Sequence, residues 1–129
     1  MAVINPTSSK RRVKVLLVSG YRPTSLKDFL QKSIFYDAKS LAMAETYGEA
    51  GEKFLQYLLN NEGHPREQWK ELIKLTGLPQ GLFYNILRKK LLGLGMVRIA
   101  NNKYYVSSEF STMLEWISNL WKIFVGEEV

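Results

Sequence analysis

The chain has 129 residues, 23% of them charged, with a formal net charge of +6 and no cysteine. That length suits one domain with an extension, long enough to bury a core without covalent staples. The missing cysteine excludes disulfides and thiolate metal sites and leaves the redox compartment unreadable.

The single histidine, His64, cannot hold zinc alone, and no D-x-D-type acidic loop is present, so neither a metal nor a cofactor is expected. No apolar run approaches the roughly 18–20 residues of a membrane span. Val13–Gly20 follows basic residues in the manner of a secretory leader, but it is too short and lacks a cleavage site, so a cytoplasmic location is expected. The charge is uneven. Residues 1–47 carry eight Lys/Arg and three Asp/Glu (+5), residues 48–92 seven and five (+2), and residues 93–129 three and four (−1). A basic front suits a polyanionic partner at one face, although a simple solubility surplus gives the same total.

Residues 1–12 are polar and read as a flexible arm, with Lys10, Arg11, Arg12 and Lys14 forming a basic cluster that suits phosphates or a solvated terminus. Residues 13–47 read as an extension. Within it, Val13–Val18 is β-branched and short, so it is expected as a strand or as an extended segment packed on the domain. Thr24 or Ser25 then caps a helix from Leu26 to about Thr46, with Leu26, Phe29, Leu30, Ile34, Ala38 and Leu41 on its apolar face.

Tyr47-Gly48 reads as an interruption, and a second helix is expected from about Glu49 to Asn60, with Phe54, Leu55, Leu58 and Leu59 inward. Pro65 suits the first position of a third helix, whose buried side is Trp69, Leu72, Ile73 and Leu75. Gly77 suits a left-handed C-cap and Pro79 prevents continuation. A fourth helix runs from about Gln80 to Leu92, with Phe83, Ile86 or Leu87, and Leu91 inward. Two strands, 96–100 and 103–106, flank Asn101-Asn102, which tolerates the positive φ of a hairpin turn. A last helix, from about Glu109 to Val125, carries apolar residues over more than a narrow stripe. The fold class is therefore mostly α with a small β-hairpin.

The helix REQWKELIKLTG, the turn GLP, the helix QGLFYNILRKKLLGLG and the hairpin MVRIANNKYYV resemble the winged helix-turn-helix superfamily of bacterial and archaeal transcriptional regulators, over residues 48–106. Gly95-Met96-Val97 matches that family's glycine-apolar-apolar entry into the wing. One departure stands out: many relatives space two leucines three apart before this glycine, whereas here Arg88 falls at the first position and Leu87 takes its place.

The resemblance implies a transcription regulator, nucleoid-associated in the cytoplasm, that binds double-stranded DNA. The fourth helix would lie in the major groove through Gln80, Tyr84, Asn85, Arg88 and Lys89. Arg98, Asn101, Asn102 and Lys103 would form the wing contacts, and Lys10, Arg11, Arg12 and Lys14 an auxiliary arm. Residues 107–129 would supply a homodimer interface through Trp116, Ile117, Leu120, Trp121 and Phe124, unless the tryptophans complete the monomer core. The alternative is a protein-interaction winged helix, an adaptor in a replication, transcription or division assembly. With one His, no G-x-S-x-G elbow and no P-loop, neither an enzyme nor a small-molecule ligand is expected. His64, next to Pro65, is expected in a capping or exposed role.

Overall fold

A computed structural model describes residues 12–127. The first helical unit, α1 (26–34), is an α-helical turn Leu26–Phe29 continued by a π turn Leu30–Ile34. Ser25 caps it, its Oγ accepting from the Asp28 N–H at 3.0 Å. The helix expected to run on to Thr46 ends here. A loop follows, and α2 (Leu41–Asn60) begins at Ser40, whose Oγ accepts from the Met43 N–H at 3.1 Å.

Gly48 does not interrupt α2. It lies inside the helix where α1 crosses: a Cβ at Gly48 would meet the Lys27 carbonyl oxygen at 3.0 Å, and one at Gly51 would meet Leu30 Cδ1 at 2.9 Å. The two glycines permit close helix contact rather than a break. Of the positions expected to face inward on α2, Phe54, Leu55 and Leu58 are buried, but Leu59 is 63% exposed.

The third helix also starts later than expected. His64–Pro65 forms a short strand, β1, and Pro65 (φ −57°, ψ 134°) is extended rather than helical. Proline is tolerated there because β1 is an edge strand. A 3₁₀ turn (Arg66–Gln68) leads into α3 (Trp69–Thr76), which Gly77 ends at φ 74° as expected. The next helix, α4 (80–93), is continuous but contains a π stretch, Phe83–Arg88. Strands β2 (Val97–Ala100) and β3 (Lys103–Val106) form the expected hairpin, with Asn101 and Asn102 at φ 51° and 61°. The sheet has three strands, not two, in the order β1-β3-β2, all antiparallel.

The core lies between α1, α2, α3, α4 and the inner face of the sheet. Phe54 of α2 packs edge-on against Phe83 of α4 (5.3 Å between ring centroids) and Tyr104 of β3 (5.9 Å). His64 is buried, contrary to the exposed or capping role expected. Its Nε2 lies 2.9 Å from the Gln68 carbonyl oxygen, which can only accept, so Nε2 carries a proton; in the neutral ring Nδ1 then accepts from the Tyr57 hydroxyl at 3.2 Å. Last comes α5 (Glu109–Phe124), which has no buried residue.

Residues 13–18 form no strand. The segment is held along the π turn of α1 by the Leu16 N–H, which donates to the Ser33 carbonyl at 2.8 Å. Beyond it, the Tyr21 hydroxyl donates to the Asp28 carboxylate at 2.6 Å, and Lys32 lies 3.0 Å from the same group. The Tyr21 hydrogen bond, followed by that from Lys32, draws the Asp28 carboxyl down to about 2. Burial, with Asp28 adding to it, pushes Tyr21 up to about 12. A carboxyl depressed in the folded state contributes stability that is present above its unfolded value, about 4, and lost as the pH falls toward 2. Tyr21→Phe should therefore shrink the fall in Tm between pH 4 and pH 2 and move Asp28 upward in an NMR titration. An unmoved Asp28 would refute this account. Among the described residues no helix is long and apolar enough to cross a membrane.

Candidate nucleic-acid interface

The fourth helix buries Phe83, Leu87 and Leu91, which resolves the inward choice in favour of Leu87 over the half-buried Ile86. The opposite side then carries Gly81, Asn85 and Lys89, all exposed and four residues apart, with Gln80 exposed at the N-terminus. Tyr84 and Arg88 do not share that outer face. Tyr84 is half-buried between Phe83 (5.5 Å between ring centroids) and Trp69 of α3 (6.4 Å). The Arg88 guanidinium lies over the Tyr84 ring at 4.7 Å, with its Nε buried and unpaired. Burial, chiefly, raises the Tyr84 phenol above its ordinary value. Tyr104 adds to the effect, and Arg88 and Arg66 oppose it. Tyr84 thus serves as a platform that aims Arg88 along the flank facing α3.

On the hairpin, Arg98, Asn101, Asn102 and Lys103 are all exposed. The Arg98 guanidinium lies 5.0 Å above the ring of its cross-strand neighbour Tyr105. The Asn102 side-chain amide is already engaged, donating to Glu67 at 3.0 Å, while the Asn102 backbone carbonyl accepts from the Arg66 N–H at 3.0 Å. These bonds tie the hairpin tip to the 3₁₀ turn before α3. Arg12 and Lys14 are exposed, and Lys10 and Arg11 lie outside the described residues.

The sequence reading missed Arg66, Lys70 and Lys74, which lie exposed on the 3₁₀ turn and α3. Lys70 lies over the Trp69 ring at 5.8 Å, so its charge continues the row that runs through Tyr84 to Arg88. The signal was available in the charge balance of residues 64–107: eight Lys/Arg against Glu67 and Glu71, or 8 − 2 = +6. That segment accounts for the whole net charge of the chain.

Most of these cations stand outside the ion pairs of the described residues, which, besides a 3.5 Å contact of His64 with Glu71, are all made by lysines. Among the described residues, lysine–carboxylate pairs use Lys27, Lys32, Lys53 and Lys90, with Lys90 bridging the Ile34 carbonyl and Asp37 at 2.7 Å each. Arg66, Lys70, Lys74, Arg88, Lys89, Arg98 and Lys103 enter no ion pair there. Seven cations on one run of turn, helix, helix and hairpin are left without carboxylate partners, an arrangement that attracts a polyanion. No group of three or more His, Cys, Asp or Glu that could hold a metal occurs among the described residues.

Residues 26–127, from the start of α1 to beyond the end of α5, match the model of an archaeal family, and the chain belongs to that family. No curated protein and no solved structure matches it.

Proposed function

We propose that this protein binds double-stranded DNA through α4 and the β2–β3 hairpin, as a homodimeric transcription regulator of the winged helix-turn-helix class. The observation that carries the reading is the row of seven cations on 66–103 that enter no ion pair among the described residues. The order helix, strand, helix, helix, strand, strand, with sheet order β1-β3-β2, supports the class. In this reading α4 enters the major groove with Gln80, Asn85 and Lys89 toward the bases and Arg88 along one wall, while Arg98 and Lys103 hold phosphates. Arg66 and Lys70 extend the phosphate contacts onto α3.

The test is duplex binding by fluorescence anisotropy, with random and genomic fragments at two salt concentrations. Binding that weakens steeply with salt is expected, with some fragments preferred. No binding at low salt would overturn the reading and favour the adaptor alternative, which draws on the exposure of α5.

Gly81 offers a second check. Nothing lies within 4 Å of the position a Cβ would take there. Gly81→Ala should therefore stabilise the helix by about 0.5–1 kcal/mol, seen as a Tm rise of a few degrees. The same variant should bind DNA more weakly if the open spot is where a strand of the duplex approaches. A stabilised variant with full affinity would place Gly81 outside the contact.

A further inference from the structure

The last helix is the least covered part of the molecule. Nine of its 16 residues are apolar and none is buried: Trp116, Trp121 and Phe124 are 69%, 62% and 80% exposed. At 3.6 residues per turn, those nine spread over about half of the circumference, wider than the a/d seam that a single partner helix covers. A lone 16-residue helix is marginal in water, so this one needs covering.

It does not cover itself. The connection from β3 is short, with the Ser107 N–H donating to Met96 O at 2.9 Å and the Phe110 N–H to Gly95 O at 3.2 Å. Gly95 is in turn pressed against Glu109, where a Cβ would meet the Glu109 Cβ at 2.9 Å. The direction of α5 is thus set at its root, and of its apolar residues Phe110 is the one packed against the core, with its ring 6.1 Å from that of Phe29. Beside that root lies a groove of about 750 Å³. Its walls include Leu26 of α1, Leu55 and Leu59 of α2, Met96, Val106 and Phe110, and Leu59 and Val106 are exposed within it.

We infer that α5 of each copy seats in this groove of a second copy, so that two chains exchange their last helices about a two-fold axis. Each molecule carries both an uncovered apolar helix and an uncovered apolar groove, and the two meet at α5's root, where one chain cannot join them. Self-complementary surfaces of this kind close as an isologous dimer. The helix alone offers on the order of 1,000 Å² of apolar surface per copy, given 150–250 Å² per buried aromatic residue, and a standard interface needs about 800 Å². A groove also explains the width of the apolar face: one side of α5 meets the groove floor and the other the partner's α5. This names the partner surface of the homodimer proposed above.

The test measures mass in solution by light scattering, without DNA, so its result is independent of the DNA assay. Wild type is expected at twice the 14.9 kDa chain mass. Leu59→Glu in the groove and Trp121→Glu on the helix should each weaken association at least tenfold, giving monomers at the concentration where wild type pairs. Val106→Lys, on another wall, is the second groove variant should Leu59→Glu lower Tm. A monomeric wild type would overturn the inference. So would groove variants that pair as tightly as wild type while Trp121→Glu does not, because the helices would then be pairing only with each other.

Discussion

Replacing Lys89, Arg98 and Lys103 together with alanine should lower duplex affinity by two to three orders of magnitude at 0.1 M salt and leave the fold intact. Each basic residue on a phosphate adds about 0.9 to the slope of log affinity against log salt, which at 0.1 M is close to tenfold in affinity. The two lost phosphate contacts, of Arg98 and Lys103, should therefore flatten the slope by nearly two, and the lost base contact of Lys89 supplies the rest of the fall. All three side chains are exposed and enter no ion pair among the described residues, so alanine there should cost about 0.5 kcal/mol or less per site. Alanine at Lys27 and Lys32, which already face carboxylates, is the control and should leave the slope unchanged. Equal effects from both sets would mean that net charge, not this face, governs binding.

Phe54→Ala should destabilise the protein by about 3–5 kcal/mol, a large part of the 5–15 kcal/mol typical of a domain. The ring is fully buried and touches both α4, through Phe83, and β3, through Tyr104. Its loss would open a cavity where α2, α4 and the hairpin meet. Denaturant unfolding measures the cost, and a loss below 1 kcal/mol would show that the junction collapses freely around the gap. Phe54→Leu should keep the fold while loosening α4 against the hairpin, so its duplex affinity should fall more than its stability does.

The elements that stand out by local chemistry were legible in the sequence. Gly77 before Leu78-Pro79 ends α3, and Asn101-Asn102 adopts the positive φ that the hairpin needs, because both depend on one or two residues. What misled was glycine read without its surroundings. Gly48 suggests a break when α2 is viewed alone, but its purpose is the passage of α1, a contact between residues 17–21 apart in sequence. The true start of α2 rested on Ser40, a cap without the acidic partner that would have marked it.

Pro65 misled in the same way. It suits a helix start locally, and only pairing with Lys103 makes it a strand residue. Charge was hidden by where the chain was divided: a boundary at residue 92 cut the basic run between helix and hairpin, so a balance of +6 within 64–107 was spread over two segments. The exposure of α5 could not be read at all, since a broad apolar face looks the same whether its own domain or a second chain covers it.

The π stretch at 83–88 can be viewed as one surplus residue carried inside a helix. A wide turn takes up an extra residue without lengthening the path much, so everything after it is rotated back by about 100° relative to a regular helix. Phe83, Leu87 and Leu91, each four apart, are all buried across this stretch. Rotational phase, rather than length, is then what an insertion or deletion in this stretch would alter. Deleting one residue would leave Leu91 and the hairpin anchored in the core and turn the first half of α4 instead, swinging Gln80 and Gly81 to a different bearing from Lys89. Homologues that differ by one residue here would present different side chains outward while sharing the same core.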